Sequence, residues 1–184
     1  GIGMRRDSMR RRRWPRVLAG LVVLALATAG VAVVQPPWAF GLLSRIWPRI
    51  VWRVPTSQPL VALSFDDGPA SAATPDVLAM LAHHGAHATF FLIGERARAH
   101  PDLVRVIRAG GHELGNHSDG TVSLLRASDA EFEESLLRAE RTLALGRERK
   151  LFRPPGGLIR ASQIALVEAH GYRCVLGSAY PYDS

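Results

Sequence analysis

Cysteine is almost absent from this chain of 184 residues, and this limits the covalent chemistry open to it. The single residue, Cys174, cannot form an intrachain disulfide. It lies in the apolar stretch YRCVLG, where a small buried hydrophobic residue is expected rather than a catalytic nucleophile. The sequence also has no internal repeat, no low-complexity tract and no Gly-rich loop of the GxxxxGK type. The missing loop argues against a phosphotransfer enzyme that would use paired acidic residues with Mg²⁺.

An excess of basic over acidic residues is missing outside the first 16 positions. The segment GIGMRRDSMRRRRWPR, residues 1–16, contains seven arginines and one aspartate, so it carries +6 of the formal net charge of +7. The rest of the chain is close to neutral, whereas a nucleic-acid-binding domain would spread basic residues over its folded part. The sequence therefore predicts no nucleic-acid partner, and residues 1–16 are interpreted as the cytoplasmic flank of a membrane segment.

An uncharged apolar run, VLAGLVVLALATAGVAVV, occupies residues 17–34. As a helix it would span about 27 Å, close to the ~30 Å thickness of a hydrocarbon core. Arginines before such a run favour the cytoplasmic side, so the chain after it is expected to be extracytoplasmic. We predict a transmembrane anchor in contact with membrane lipid. The alternative is a signal peptide cleaved near Ala27-Thr28-Ala29, which would release a secreted protein.

The remaining chain divides into a connector and a globular domain. Residues 35–57 combine three of the four tryptophans with proline and arginine, which suits either an interfacial connector or a first turn of the domain. From residue 58 to 184, strand patterns alternate with helical patterns of 10–15 residues. This alternation predicts an α/β fold with a parallel sheet. The predicted strands are VALSF, HATFFLIG, HELGN, LFRPP and YRCVLGSAY.

Polar clusters follow three of these predicted strands. They are Asp66-Asp67, Asn116-His117 and Arg153-Pro154-Pro155. In folds with parallel strands, the chemistry lies at the carboxyl ends of the strands. The three clusters are therefore expected at one edge of the sheet.

Two adjacent carboxylates repel each other unless they bind a cation or share a proton. Asp67 and His117 are an oxygen and an imidazole suited to Zn²⁺ or a similar divalent metal ion. Asp66 could take a proton from water, and Arg153 could orient Asp66 through a bidentate pair. The alternative is that FDDG is only a turn and His117 an ordinary loop histidine.

Three segments together resemble one enzyme family. They are SFDDGP followed by TPDVLAMLAHHGAHATFFLIG, then GGHELGNHS, and then FRPPGG. In this order they are similar to the polysaccharide deacetylase (NodB-homology) family of carbohydrate esterases. The resemblance covers residues 60–182.

The resemblance implies a fold, a reaction and residue roles. The fold is a deformed (β/α) barrel, and the reaction is metal-dependent hydrolysis of acetyl groups from N-acetylated amino-sugar polysaccharides, with Zn²⁺ as the expected ion. By position, Asp66 is similar to the general base, Asp67 and His117 to metal ligands, and Arg153 to the residue supporting the base. The chain around Pro155-Gly156 would give a backbone N–H to the oxyanion.

The sequence departs from the family pattern in three places. Thr121 stands where a second metal-binding histidine is usual, and Asp119 is a candidate substitute ligand. Gly156 replaces a common aromatic residue. The family's C-terminal histidine, the expected general acid, has no counterpart up to Ser184, so the barrel is expected to be truncated. A glycan-binding pseudoenzyme or a truncated product is therefore the alternative to an active deacetylase.

Overall fold

The computed structural model describes residues 17–22, 36–121, 124–146 and 150–179. Their strands form one six-stranded sheet in the order β1-β6-β5-β4-β3-β2. The strands are β1 (Ile50–Val51), β2 (Ser64–Gly68), β3 (Thr89–Leu92), β4 (Glu113–Asn116), β5 (Lys150–Phe152) and β6 (Tyr172–Val175). The helices are α1 (17–22), α2 (Pro37–Ile46), α3 (Thr74–His83), α4 (Gly94–Ala99), α5 (Pro101–Ala109), α6 (Asp129–Leu143) and α7 (Ala161–Ala169).

All five strand pairings are parallel, which confirms the α/β fold predicted from the alternating patterns. In the sheet, Asn116 at the end of β4 is level with Phe152 at the end of β5, and Leu92 of β3 is level with Asn116. Because the strands run in the same direction, their carboxyl ends meet at one edge. This register brings the residues after β4 and β5 close to those at the end of β2.

Helix α6 shows how local sequence signals and core packing agree. Ser128 and Glu131 form a capping box: the Glu131 amide donates to Ser128 Oγ at 3.3 Å, and the Ser128 amide donates to Glu131 Oε2 at 2.7 Å. Phe132, Leu136 and Ala139, spaced by four and three residues, are buried on one face. The cap fixes where the helix begins, and this face then anchors it to the sheet.

Strand β2 differs from its prediction. The sequence predicted VALSF as a strand, but β2 begins at Ser64 and continues through both aspartates to Gly68. Val61, which comes before β2, is 84% exposed. Among the described residues β2 pairs only with β3, so no second strand lies beside the start of β2 to cover the apolar residues there. The pairing shifts register between Phe65 and Gly68, and Asp67 has a φ of 61°. The acidic pair therefore lies in an irregular edge strand and not in a turn after a buried strand.

The segment predicted as a connector, residues 35–57, supplies part of the fold. Strand β1 extends the sheet beside β6, with Ile50 level with Cys174, and Ile50 is buried in the core. The Phe40 ring of α2 lies 6.3 Å from that of Trp52. Short α4 was also missed, because its six residues are shorter than the helical patterns used for prediction.

Cys174 is buried, as the sequence predicted. It lies in β6 between β1 and β5, and none of its surface is exposed. Burial raises the pKa of the Cys174 thiol to about 12. Since the thiolate is the reactive form, this cysteine is a packing residue.

The predicted membrane span lies mainly outside the described residues, which include only positions 17–22 of the run 17–34. Those six positions are helical. Within the part of the chain that is described, no helix combines the length and apolar character needed to cross a bilayer. The basic residues 1–16 also lie outside the described residues.

Candidate active site

The three polar clusters of the sequence meet in one cavity of about 490 Å³ at the carboxyl edge of the sheet. Its volume is within the range of small-molecule sites in proteins. The cavity is lined in part by Asp66, Asp67, His117, Thr121, Arg153 and Gly156.

Asp67 and His117 face each other at a distance suited to a shared cation. His117 Nε2 lies 3.6 Å from Asp67 Oδ1. Two ligand atoms about 2.1 Å from one tetrahedral ion would be about 3.4 Å apart. The Asp67 backbone carbonyl accepts a hydrogen bond from Arg96, which helps hold this residue in its left-handed conformation. The pair therefore fits two adjacent positions of a tetrahedral metal site.

The imidazole of His117 is oriented by a backbone carbonyl. Its Nδ1 lies 2.7 Å from the carbonyl oxygen of Arg153. A carbonyl only accepts hydrogen bonds, so Nδ1 carries the proton and Nε2 keeps its lone pair. That lone pair is on the nitrogen nearest Asp67. A hydrogen bond from the far nitrogen is the usual way in which proteins orient a metal-binding histidine.

The turn that carries His117 is held by Asn116, which is fully buried. Asn116 Oδ1 accepts from the Ser118 amide at 2.9 Å, and Nδ2 donates to the Leu136 carbonyl at 2.9 Å and to Tyr172 Oη at 3.0 Å. Burial raises the pKa of Tyr172 well above its ordinary value, so the hydroxyl stays protonated and neutral. The sequence placed Asn116 at a strand end but did not reveal this positioning role.

Arg153 fixes Asp66 on the other side of the cavity. The arginine side chain is 7% exposed, and its Nη1 donates to Asp66 Oδ1 at 2.7 Å and to Ser64 Oγ at 2.9 Å. Its Nε donates to the Val175 carbonyl at 3.3 Å. The predicted pairing of Arg153 with Asp66 is present, but it is a single hydrogen bond from Nη1 instead of a bidentate pair.

A glycine makes room for the aromatic support of Arg153. A Cβ atom on Gly115 would lie 2.5 Å from the Phe91 ring, so any larger residue would displace that ring. The Arg153 guanidinium lies 4.0 Å from the centre of the Phe91 ring. Such a contact is attractive because the ring face is electron-rich. Gly115 in β4 thus contributes to the position of Arg153 through Phe91.

The structure does not bring Asp119 to the pair formed by Asp67 and His117. Its carboxylate accepts from Arg98 at 2.6 and 3.0 Å and lies 3.6 Å from Arg138. It is not among the residues lining the cavity, and it packs so closely on Gly94 that a Cβ there would lie 2.3 Å from Asp119 Oδ1. The two arginines already neutralise this carboxylate, so the candidate role of Asp119 as a substitute ligand does not agree with its surroundings.

Thr121 lies in the cavity wall, at the place where the resemblance expects a second histidine. Within the described ranges, no group of three or more His, Cys, Asp or Glu side chains is arranged to hold a metal ion. Of the three candidate ligands Asp67, His117 and Asp119, the structure therefore brings only Asp67 and His117 together.

The turn after Arg153 is formed by Pro155–Gly157. Pro155 has no N–H, so of the expected pair Pro155-Gly156 only Gly156 has an amide that can donate to an oxyanion. The Gly157 amide already donates to the Pro154 carbonyl at 3.0 Å. Gly156 lines the cavity, and a Cβ there would meet nothing within 4 Å. The missing aromatic side chain therefore leaves open space at this wall.

Two wall residues from outside the predicted clusters, Trp52 and Leu176, were missed by the sequence reasoning. Trp52 lines the cavity and packs against the apolar cluster under β5 and β6. Its Nε1 is a buried donor without a hydrogen-bond partner among the described residues. The tryptophan-rich composition of residues 35–57 was the only signal, and it did not indicate which tryptophan would reach the site.

Comparison with known proteins gives consistent matches. The polysaccharide deacetylase family model matches residues 53–175. A peptidoglycan-N-acetylglucosamine deacetylase of Bacillus cereus is 38% identical over 130 residues, which are 70% of this chain and 61% of that relative. A chitooligosaccharide deacetylase of Sinorhizobium fredii is 41% identical over 97 residues, or 53% of this chain and 45% of the relative.

Solved structures agree with these matches. The crystal structure of the Bc1960 peptidoglycan N-acetylglucosamine deacetylase superposes with a TM-score of 0.67 and 32% identity, covering 70% of this chain and 63% of that one. The chain thus spans less than two thirds of the length of these relatives. The family match nevertheless includes all three polar clusters and most of the described sheet. The chain therefore belongs to the polysaccharide deacetylase family.

Proposed function

We propose that this protein is a divalent-metal-dependent deacetylase of N-acetylated amino-sugar polymers, such as peptidoglycan or chitin-like oligomers. The observation that carries this proposal is the pairing of Asp67 with His117 at a cation-sharing distance, beside an Asp66 held by Arg153. The activities of the relatives from Bacillus cereus and Sinorhizobium fredii support the choice of substrate.

A divalent cation, proposed as Zn²⁺, fits the chemistry of Asp67 and His117. Carboxylate oxygen and neutral imidazole are both common zinc ligands, and the His117 tautomer leaves Nε2 available. When bound, the cation would act as a Lewis acid and make water a stronger nucleophile near neutral pH. Asp67 and His117 would hold the ion, one protein ligand fewer than the three usual in catalytic zinc sites, and would leave it open to water and substrate.

The remaining residues have separate roles in hydrolysis. Asp66, held by Arg153, accepts the proton of the water that attacks the acetamide carbonyl carbon. The Gly156 amide donates to the oxygen on which negative charge develops. Collapse of the tetrahedral intermediate breaks the C–N bond, and the proton that Asp66 took from water passes to the leaving nitrogen, which yields acetate and the free amine.

The same proposal includes the finer architecture and the location. Six parallel strands support a deformed (β/α) barrel, of which β1 and β2 are the two outer strands among the described residues. The basic residues 1–16 before the uncharged run 17–34 support a membrane anchor with the catalytic domain outside the cytoplasm. Such a location would give the site access to cell-wall glycan.

Acetate release from an N-acetylglucosamine oligomer tests the activity. We expect the full chain to release acetate with added Zn²⁺, and Asp66→Asn to lower kcat by about 10²–10⁴-fold because the base is lost. Asp102→Asn removes an exposed carboxylate from the first turn of α5 and is the matched control, with activity near that of the parent. Undiminished release by Asp66→Asn would refute the assigned role.

A glycan-binding protein without catalysis is the second candidate. The observation that favours it is Thr121 at the position of the usual second histidine. Binding of the oligomer without turnover, and without bound metal in the purified chain, would support this second candidate. Stoichiometric zinc together with acetate release would exclude it.

A further inference from the structure

We propose that the outer face of α2 lies in the headgroup region of a lipid bilayer. This face, here named the α2 stripe, consists of Trp38, Leu42 and Ile46, which are 64%, 50% and 54% exposed. Their spacing of four residues places them along one side of the helix. The exposed side chain of Trp47 continues the stripe beyond the end of α2.

The opposite face of α2 is attached to the protein. Phe40 contacts Trp52, whose side chain also packs against the core cluster beneath β5 and β6. Arg49, just after α2, forms an ion pair with Glu168 of α7. The helix is therefore apolar on both sides, whereas a surface helix normally has a polar outer face. The α2 stripe is held outward in a fixed direction and lacks an apolar cover among the described residues.

The position of α2 in the chain points to a bilayer as that cover. The helix begins at Pro37, three residues after the uncharged run ends at Val34. Three residues reach at most about 11 Å, so a membrane-spanning run would keep the start of α2 close to the bilayer surface. This inference rests on the anchoring part of the proposed function and is independent of the catalytic part.

The residue types agree with that position. Tryptophan is enriched at membrane interfaces, and arginine side chains reach the phosphate groups there. Arg45, in the last turn of α2, is exposed beside the stripe, and Arg53 is also exposed. Val17, Leu18, Leu21 and Val22 of α1 are also exposed, at 56–58% each, so the neighbouring chain presents the same apolar character.

Site-directed spin labelling can test where the α2 stripe lies. Since Cys174 is fully buried, a cysteine introduced as Leu42→Cys is the reactive one. The full chain is labelled and reconstituted into vesicles of phosphatidylcholine and phosphatidylglycerol. Collisions of the label with apolar O₂ and with a water-soluble nickel chelate are then compared. Val106→Cys on α5 is the matched control, because Val106 is an aliphatic residue that is 53% exposed.

The inference predicts opposite behaviour at the two positions. The label at position 42 should collide more often with O₂ than with the nickel chelate, and the label at position 106 should show the reverse order. A position-42 label as accessible to nickel as the one at 106 would overturn the inference. A label shielded from both reagents would also overturn it, because protein would then cover the stripe.

Flotation of the same vesicles separates this inference from the anchor. If the chain floats with the vesicles while its position-42 label stays in water, the membrane anchor is supported and the placement of the α2 stripe in the headgroup region is refuted. If the chain does not float, both the membrane anchor and the placement of the α2 stripe are refuted. Acetate release, measured on the same samples, reports on the catalytic proposal and is unaffected by either result.

Discussion

At the scale of single residues, Arg153 links the two halves of the site. Its backbone carbonyl accepts a hydrogen bond from His117 Nδ1, while its guanidinium holds Asp66. The residue that orients the proposed base therefore also selects the tautomer of the proposed metal ligand. A change that moves the backbone at Arg153 would disturb both functions together, whereas a side-chain change would act mainly on Asp66.

A prediction at this scale concerns Thr121, which faces the same cavity as Asp67 and His117. Thr121→His should raise the affinity for Zn²⁺ about tenfold or more, which corresponds to a gain of about 1.4 kcal/mol in binding free energy from the added ligand. Calorimetric titration of metal into the stripped protein measures the change. Thr121→Leu, which adds bulk without a ligand atom, is the control; equal affinities in both variants would show that position 121 does not reach the ion.

At the scale of elements, β1 closes the outer side of β6. Ile50 lies level with Cys174 and is 7% exposed, although it comes from the segment that the sequence predicted as a connector. The amide of Leu176 donates to the Val51 carbonyl at 2.9 Å, so the chain just after β6 stays beside the end of β1. Since Leu176 also lines the cavity, this outer strand helps to shape one wall of the site.

Truncating Ile50 should therefore destabilise the whole domain. Ile50→Ala is expected to lower the free energy of unfolding by about 2–4 kcal/mol, through lost burial and the cavity left behind. Val54→Ala, at a position 75% exposed, should change it by less than about 0.5 kcal/mol. Urea unfolding followed by circular dichroism compares them; similar losses for both variants would contradict the assignment of Ile50 to the core.

His112, just before β4, gives a pH-dependent prediction for the same sheet. Its ring is buried 5.4 Å from that of Phe90, and burial, with the nearby charge of His87, lowers the pKa of His112 below its ordinary value. In the acidic range the unfolded chain binds this proton more readily than the folded chain. Stability should therefore fall as the pH drops below about 6.5, the unperturbed value for histidine.

The variant His112→Asn should reduce this loss of stability at low pH. The Ala88 amide donates a hydrogen bond to His112 Nδ1, and an asparagine side chain can accept the same bond but does not titrate. His83→Asn, at an exposed position on α3, is the control and should keep the original slope. Melting temperatures measured between about pH 5 and pH 8 cover the relevant titration. An unchanged slope in His112→Asn would assign the acid sensitivity to other groups.

At the scale of the whole molecule, the described site is supported by the protein itself. The ring of His117, the side chain of Asp66 and the turn at Asn116 each have protein hydrogen-bond partners. The sheet and its two apolar clusters lie beneath them. A cation would therefore complete the chemistry without being needed to hold the fold together.

Metal removal should separate activity from folding. Treating the purified full chain with a chelator is expected to abolish acetate release while leaving its near-ultraviolet circular dichroism unchanged. The free energy of unfolding should fall only by the ligand-linkage effect, about 2.7 kcal/mol when the metal concentration had been 100-fold above Kd. Return of activity on adding Zn²⁺ is the control for chelator damage. Loss of the folded signal on chelation would instead identify the metal as structural.

The sequence alone determined the class of fold, the three polar clusters and the family. Alternating strand and helix patterns depend on short-range periodicity, and the capping box of α6 involves residues three positions apart, so both can be read along the chain. The burial of Cys174 followed from its apolar neighbours in the same way. Parallel strands also imply that residues after their carboxyl ends share one edge, which is why Asp66, His117 and Arg153 could be grouped in advance.

Only the tertiary structure decided which groups make contact. Asp119 follows His117 by two residues, yet Arg98 and Arg138 bind its carboxylate, because close packing on Gly94 directs it towards α4 and α6. Trp52 reaches the cavity through the pairing of β1 with β6, a contact between segments about 120 residues apart. Such contacts depend on the direction and register of distant elements, which no local pattern encodes.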